Sequence, residues 1–183
     1  MTEKEKALAG LDFIRGDKEL KAKRDRAESL CFKLNNTPPE KADAREAVLR
    51  ELIPDLGEGA YIKPPFICEY GDYIKTGKNF FANYNCKLMD GGKITFGDDV
   101  LVGPNCTFVT ALHPVDPILR REGHQQFKPI SVGDNVWFGA GVIVCPGVSI
   151  GSNCVIGAGS VVTKDIPENS FAAGNPCKVI RCV

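Results

Sequence analysis

The sequence of 183 residues predicts a mainly β protein, a solenoid of short strands that follows a helical segment. The first observation behind this prediction is a repeat with a period of six over residues 132–167, because a fixed short period is typical of repeat architectures. The second is the charge distribution, since residues 1–57 hold 24 of the 46 charged side chains. The chain therefore divides into a helical region and a repeat region.

Each six-residue unit begins with an apolar residue and carries a small or aliphatic residue at its fifth position. The fifth residue and the first residue of the next unit are two apart, so they share one face of a strand. Positions two to four are rich in Gly, Asp and Asn, which tolerate turn conformations. Each unit is therefore a strand of about three residues and a corner. The predicted inward residues are Val132, Val136, Phe138, Val142, Val144, Val148, Ile150, Cys154, Ile156, Ser160, Val162 and Ile166.

Three helices are predicted in residues 1–57, which we interpret as a cap over one end of the solenoid. Thr2 and Glu5 have the spacing of a capping box, and Asp17 can cap a second helix. Thr37, followed by two prolines, is predicted to cap the third. The apolar stripes are Leu20, Ala27, Leu30 and Leu34 in the second helix and Ala44, Val48 and Leu52 in the third.

Residues 58–183 are predicted to form the solenoid, with two irregularities. The register of the sixes shifts by two near Asp90-Gly91-Gly92, which predicts a bulge or loop. The repeat then breaks over about residues 112–127, and a C-terminal extension follows Pro167. Because a regular solenoid places insertions on its surface, where they are often functional, the break is a candidate site.

Composition narrows the function classes. The formal net charge is zero, so nothing favours nucleic acid or a membrane surface, and no apolar run approaches a spanning helix. The charged N-terminus lacks a signal region, which makes a cytoplasmic protein the default expectation. Eight cysteines include no Cys-x-x-Cys pair, which argues against zinc. Cys68, Cys86, Cys106 and Cys154 fall at fifth positions, where we expect buried, reduced thiols.

Several segments resemble the hexapeptide-repeat acyltransferases: the Ile-Gly-x-x-Val-x units, the Ala-Leu-His-Pro break ending at Pro114, Asn135–Gly139 and Gly157–Asp165. The helical N-terminal segment and Phe80-Phe81-Ala82-Asn83 narrow the resemblance to the maltose and galactoside O-acetyltransferases. The resemblance covers nearly the whole chain. It implies a left-handed parallel β-helix with three sixes per coil, and a homotrimer with active sites at the subunit interfaces.

The resemblance also implies a chemistry in which an acetyl group moves directly from acetyl-coenzyme A to a sugar hydroxyl, without a metal. His113, of the His-Pro pair, is expected to be the general base, a role that suits the pKa of an imidazole. Asn83 matches a family residue at the reaction centre that also contacts the acetyl donor. His124 has no such match, so we expect it to be a solvated loop residue.

The acceptor pocket is expected to involve five side chains. Asp90 matches a family carboxylate that binds sugar hydroxyls, although galactoside relatives often carry a further acidic residue where this chain has Gly91. The remaining candidates are Asp17, Arg24, Glu69 and Phe81. A helix cap and a solvated helix face are equally good interpretations of Asp17 and Arg24.

Coenzyme A is expected to lie along the regular coils, where small residues allow close approach to the backbone. Trp137, at the outward middle of a strand, contacts either the coenzyme or a neighbouring subunit. The family match adds three small residues and four donors for the nucleotide phosphates. These candidates are Gly139, Ala140, Ala158, Thr163, Lys164, Lys178 and Arg181.

Three alternatives stay open at this point. A carbonic anhydrase on the same fold would need three histidines around zinc, and the chain has two. An acetyltransferase of the same fold could act on an amino acid, an antibiotic, a lipid precursor or a nodulation-factor-like oligosaccharide. A trimeric scaffold without catalysis would not require His113 and Asn83.

Overall fold

The computed structural model describes residues 1–183, and its main body is a parallel β-helix of short strands. All twelve inward positions predicted within residues 132–167 are buried. Strand residues between them, such as Trp137 and Ile143, are exposed, because successive side chains alternate between the two faces of a strand. The six-residue period therefore determines which side chains form the core.

The chain contains four helices and nineteen short strands. The helices are α1 (Glu3–Leu8), α2 (Lys18–Asn36), α3 (Ala42–Leu52) and α4 (Pro117–Glu122). The strands are β1 (Phe13–Ile14), β2 (Tyr61–Ile62), β3 (Phe66–Cys68), β4 (Ile74–Lys75), β5 (Phe81–Ala82), β6 (Cys86–Met89), β7 (Ile94–Phe96), β8 (Leu101–Val102), β9 (Thr107–Val109), β10 (Ala111–Leu112), β11 (His124–Phe127), β12 (Ile130–Val132), β13 (Trp137–Phe138), β14 (Ile143–Val144), β15 (Ser149–Ile150), β16 (Val155–Ile156), β17 (Val161–Val162), β18 (Ser170–Ala173) and β19 (Lys178–Cys182). No helix combines the length and apolarity that crossing a membrane requires.

Three parallel sheets form the sides of the β-helix. The four-stranded face has the order β15-β12-β7-β4, and the five-stranded face has the order β17-β14-β9-β6-β3. The seven-stranded face runs β19-β18-β16-β13-β8-β5-β2, with β19 antiparallel to β18. Consecutive strands such as β12, β13 and β14 lie on different faces, so the chain passes from face to face at each corner.

Asparagines stack at the corners. Asn135, Asn153 and Asn169 all have positive φ angles, a conformation that asparagine adopts more readily than most residues. Their side chains form a ladder, in which Asn135 donates to Asn153 and Asn153 donates to Asn169, each at 3.0 Å. The ladder repeats from coil to coil and fixes the vertical register of the solenoid.

The N-terminal helices follow the prediction in part. Thr2 closes the capping box with Glu5, and Asp17 caps α2, both as predicted. The predicted start of α3 is wrong: Thr37 forms the C-cap of α2, and α3 begins at Ala42 without a side-chain cap. Ala44 is exposed, whereas the other predicted stripe residues of α2 and α3 are buried.

The segment that interrupts the repeat is folded. It contains α4 and β11, and β11 pairs antiparallel with β10 on one side and β1 on the other. A small second core lies under this three-stranded sheet, separate from the core of the β-helix. Its buried members are Ala7, Phe13, Leu20, Tyr70 and Phe127.

Candidate active site

His113 lies directly after β10, at the start of the interrupting segment. Under the β1-β11-β10 sheet, the rings of Phe13 and Phe127 pack with their centroids 5.0 Å apart. Nδ1 of His124, on β11, lies within hydrogen-bond distance of a carboxylate oxygen of Asp12, so His124 is not simply a solvated loop residue. The N-terminal segment thus anchors the loop that carries His113, whose imidazole is exposed.

His113 borders a cavity of about 670 Å³, which we call the His113 cavity. One wall is a face of α2, and the opposite wall comes from β3, β6 and the start of the interrupting segment. Both charged and apolar side chains line it, as in many sites for small ligands. The lining residues are Arg24, Glu28, Cys31, Phe32, Ile67, Cys68, Glu69, Met89, Ala111, His113 and Gln125.

Two charged groups of opposite sign share this cavity. Burial raises the pKa of Glu69 above its usual value, and the nearby Arg24 guanidinium opposes that shift. Nη1 of Arg24 donates a hydrogen bond of 2.8 Å to the hydroxyl of Tyr70. Burial also raises the pKa of Tyr70 to about 12, so this hydroxyl stays protonated near neutrality. The cavity therefore offers a cation and a half-buried carboxyl group to a polar ligand.

Asp90 does not line the cavity, and its predicted contact with a sugar does not hold in this structure. Its side chain is fully buried, and its carboxylate accepts hydrogen bonds from the backbone N–H groups of Glu69, Tyr70 and Tyr73 at 2.9, 2.9 and 3.2 Å. Burial raises the pKa of Asp90 to about 7, although the three N–H donors act in the opposite direction. Asp90 thus fixes the backbone that presents Glu69 and Tyr70.

A second depression, which we call the Asn83 groove, has a volume of about 360 Å³. Small residues stack at this corner because neighbouring coils approach closely: a Cβ atom on Gly139 would lie 2.6 Å from the nitrogen of Ala158. Oδ1 of Asn83 accepts a hydrogen bond from the N–H of Tyr84. The groove is lined by Phe81, Asn83, Leu101, Val102, Gly103, Pro104, Trp137, Gly139 and Ala140.

Two coenzyme candidates, Trp137 and Arg181, share one row along the seven-stranded face with Phe81, which was expected in the acceptor pocket but does not line the His113 cavity. The strand registers align Phe81, Trp137 and Arg181 in a single outward row, in which Trp137 is 55% exposed. The other members of the row are Tyr61, Leu101, Val155 and Phe171. This outward row is continuous with the Asn83 groove, which includes Phe81 and Trp137.

The remaining candidates lie apart from both depressions. Thr163 and Lys164 follow β17 of the five-stranded face, and Lys178 begins β19. All three are exposed, as is Ala158 above the groove. Asp17 acts as the N-cap of α2, where its Oδ1 accepts from two backbone N–H groups.

Within one chain, His113 and Asn83 occupy different corners. His113 lies where the chain leaves the five-stranded face, whereas Asn83 follows β5 of the seven-stranded face. The His113 cavity and the Asn83 groove share no lining residue. The candidate base and the candidate donor site are thus presented on separate surfaces of the chain.

Comparison with known proteins identifies the family. Residues 6–57 match the maltose acetyltransferase hexapeptide capping motif, and residues 129–164 match the hexapeptide repeat of succinyl-transferase. A galactoside O-acetyltransferase of Escherichia coli K12 is 44% identical over 177 residues, which cover 97% of this chain and 87% of the relative. The chain belongs to the hexapeptide-repeat acetyltransferases, in the maltose and galactoside O-acetyltransferase group.

Solved structures of this acetyltransferase group share the whole fold. A maltose O-acetyltransferase from Clostridium difficile 630 superposes with a TM-score of 0.98 at 46% identity, covering 100% of this chain and 98% of the other. A galactoside acetyltransferase in complex with coenzyme A superposes with a TM-score of 0.96 at 43% identity, covering 100% and 91%. The interrupting segment and the helical region are therefore part of the common architecture.

The resemblance to the acetyltransferases did not single out Glu28, Phe32 or Gln125, although all three line the His113 cavity. The helical spacing could have indicated two of them, because Glu28 and Phe32 follow Arg24 at intervals of four and so lie on the same face of α2. Gln125 lies within the interrupting segment, on β11. No pattern in the sequence distinguishes it from its neighbours.

Proposed function

We propose that this protein is an acetyl-coenzyme A-dependent sugar O-acetyltransferase with His113 as its general base. The observation that carries the proposal is the position of His113, which opens onto a cavity containing Arg24 and Glu69. This arrangement occurs in a chain matched over 97% of its length by a galactoside O-acetyltransferase. The base and the polar groups that would hold an acceptor hydroxyl are thus in one place.

The acceptor binds in the His113 cavity in this proposal. A sugar presents several hydroxyl groups, and Glu69 can accept hydrogen bonds from them while Arg24 donates. Glu28 and Gln125 add further polar contacts from opposite walls. The volume of about 670 Å³ is within the usual range of small-ligand sites.

Coenzyme A binds along the Asn83 groove and the outward row of the seven-stranded face. Gly139 and Ala140 have no bulky side chain, so an extended pantetheine chain can approach the backbone there. The cationic side chains of Lys164, Lys178 and Arg181, with the hydroxyl of Thr163, are the candidates for binding the phosphates. A related galactoside acetyltransferase was solved in complex with coenzyme A, which supports coenzyme A as the ligand of this proposal.

A homotrimer would join the two halves of the site. Because His113 and Asn83 lie on different corners of one chain, a second subunit is needed to place a donor site beside the base. The exposed outward row, with Leu101 and Trp137 about half exposed, supplies an apolar surface for such a contact. We therefore infer that each active site lies between two subunits.

The reaction then requires one proton carrier. The oxygen of the acceptor hydroxyl attacks the thioester carbonyl while His113 takes the proton from that hydroxyl. His113 then gives the proton to the departing thiolate of coenzyme A. The negative charge on the carbonyl oxygen needs hydrogen-bond donors during this step. The amide nitrogen of Asn83 and nearby backbone N–H groups are the candidates, since Oδ1 of Asn83 is already occupied by Tyr84.

Thiol release from acetyl-coenzyme A in the presence of a sugar panel tests this proposal. Maltose, glucose and a galactoside are the expected acceptors, and the acetylated product is identified by mass spectrometry. Amino acids and aminoglycoside antibiotics serve as comparison acceptors. Acetylation of these alone would replace the sugar assignment, and no turnover with any acceptor would contradict the enzymatic assignment.

A further inference from the structure

Two cysteines lie side by side in the wall of the His113 cavity. The Sγ atoms of Cys31, on α2, and Cys68, at the end of β3, are 3.7 Å apart. Both side chains are largely buried, at 6% and 7% exposed, and both border the cavity. A small reagent that enters the cavity can therefore reach a pair of adjacent thiols.

This pair differs from the other buried cysteines of the repeat. The thiols of Cys86, Cys106 and Cys154 each donate to a backbone carbonyl of the adjacent coil, at 3.1–3.3 Å. Cys31 and Cys68 instead contact each other across the junction between the helical region and the β-helix. Their arrangement therefore differs from the backbone-bonded thiols of the coils.

We propose that Cys31 and Cys68 form a reversible oxidation site in which a small hydroperoxide converts the two thiols to a disulfide. One thiolate attacks the peroxide oxygen, giving a sulfenic acid and releasing hydroxide or the corresponding alkoxide. The second thiol then attacks the sulfenic sulfur, forming the S–S bond and releasing water. For hydrogen peroxide, two thiols and one peroxide give one disulfide and two waters.

The surroundings define which thiol reacts first. The contact between the two thiols lowers the pKa of Cys31, whereas the same contact and burial raise the pKa of Cys68. Because the thiolate is the nucleophile, Cys31 attacks the peroxide and Cys68 resolves the intermediate. The resolving thiol is already in contact, so no large rearrangement has to precede the second step.

Disulfide formation would alter the acceptor side of the site. The two sulfur atoms must approach from 3.7 Å to about 2.05 Å, which draws α2 towards β3. Arg24 and Glu28 lie on α2, and Glu69 follows Cys68 directly, so their spacing changes across the cavity. This consequence for acceptor binding rests on the proposed function, whereas the thiol chemistry does not.

Peptide mapping of the full-length protein tests the site without any activity measurement. Trypsin releases Cys31 in residues 27–33 and Cys68 in residues 51–75, and each peptide contains a single cysteine. After hydrogen peroxide treatment and alkylation, the two peptides should appear joined in the non-reduced digest and separate again with dithiothreitol. If both cysteines remain alkylatable under conditions that oxidise the exposed Cys182, the proposal is wrong.

Kinetics and variants test the consequence. The oxidised enzyme should show at least a fivefold higher KM for the acceptor, an unchanged KM for acetyl-coenzyme A, and recovery with dithiothreitol. Cys31→Ser and Cys68→Ala should abolish this response, while the matched control Cys182→Ser should retain it. The proposed effect on acceptor binding would be wrong if oxidation raised the acceptor KM of Cys31→Ser as much as that of the wild type. It would also be wrong if the protein with the Cys31–Cys68 disulfide had an unchanged acceptor KM.

Discussion

The regular coils of residues 132–167 and the region around His113 are built on different principles. In the coils, each residue contacts its equivalent one turn away, and hydrogen bonds such as Gly139 N–H to the carbonyl of Ile156 repeat at about the same length. The His113 cavity instead brings together α2, β3 and the interrupting segment, which are far apart in the sequence. The sequence period determines the structure of the coils, whereas contacts between residues far apart in the sequence determine the structure of the His113 cavity.

The two regions also differ in the size of the core that stabilises them. The coils share one continuous core of 37 buried residues with α2 and α3, so a local change in the coils is resisted by many neighbours. The sheet behind His113 depends on a second core of only five buried residues. Changes near His113 should therefore affect activity while the β-helix persists.

His113→Ala should cause the largest loss of activity. Removal of a general base typically lowers the rate by about 10²–10⁴-fold, so kcat for sugar acetylation should fall by that amount. Because His113 is exposed and outside both cores, the circular dichroism spectrum and melting temperature should hardly change. Steady-state thiol release and thermal unfolding measure the two effects.

His124→Gln is the matched control for this variant. It lies in the same interrupting segment and pairs with Asp12, but does not border the His113 cavity. Its activity should stay within about threefold of the wild type. Near-normal turnover in His113→Ala would overturn the assignment of the base.

Phe13→Ala should destabilise the β1-β11-β10 sheet, next to His113, and leave the β-helix folded. Replacing a buried phenylalanine by alanine typically costs about 3–5 kcal/mol, and here the loss falls on the small second core. Hydrogen exchange should increase in β1 and β11, with little change in β13 and β16, and activity should fall. Equal destabilisation of all strands would show that the two regions unfold as one unit.

The same contrast explains how much the sequence could predict. The inward residues of 132–167, the capping box at Thr2 and the N-cap at Asp17 were all predicted from local patterns, and the structure confirms them. Local patterns gave a wrong helix boundary where one residue could either end one helix or begin the next. Thr37 has the features of an N-cap, but α2 extends to Asn36 and uses Thr37 as its C-cap.

Long-range contacts could not be predicted from such patterns. Strand β1 is two residues long and pairs Phe13 with Gln125, which no periodicity indicates. An aspartate followed by two glycines, as at Asp90, is typical of an exposed bulge. Its carboxylate is nevertheless buried, because three backbone N–H groups converge on it. The break in the repeat indicates residues 112–127 as a candidate site, but the catalytic roles of His113 and Asn83 are predicted only from the resemblance to a known family and stay predictions.

Asp90→Asn should change the pH dependence of stability. Because burial raises the pKa of Asp90 from 3.8 to about 7, the folded state binds a proton that the unfolded state releases between these pH values. The free energy of unfolding should therefore fall as pH rises from about 4 to about 7, by up to about 4 kcal/mol from this group.

Urea unfolding across this pH range measures the effect in the wild type and in the Asp90→Asn variant. The variant should lack this slope, since an amide does not titrate. The exposed Asp116→Asn, at the N-cap of α4, is a control that should retain it. A wild-type slope in the Asp90 variant would assign the pH dependence to other groups.

Glu69→Gln should have the smallest effect and should act on the acceptor alone. The amide keeps the shape of the side chain but replaces an acceptor oxygen with a donor, beside Arg24, which is already a donor. We expect the KM for the sugar to rise about tenfold, or about 1.4 kcal/mol, with kcat and the KM for acetyl-coenzyme A nearly unchanged. Glu46→Gln, on the exposed surface of α3, is the matched control. If Glu69→Gln instead raised the KM for acetyl-coenzyme A, the His113 cavity would be the donor site, and the division between the regular coils and the irregular region would have to be reversed.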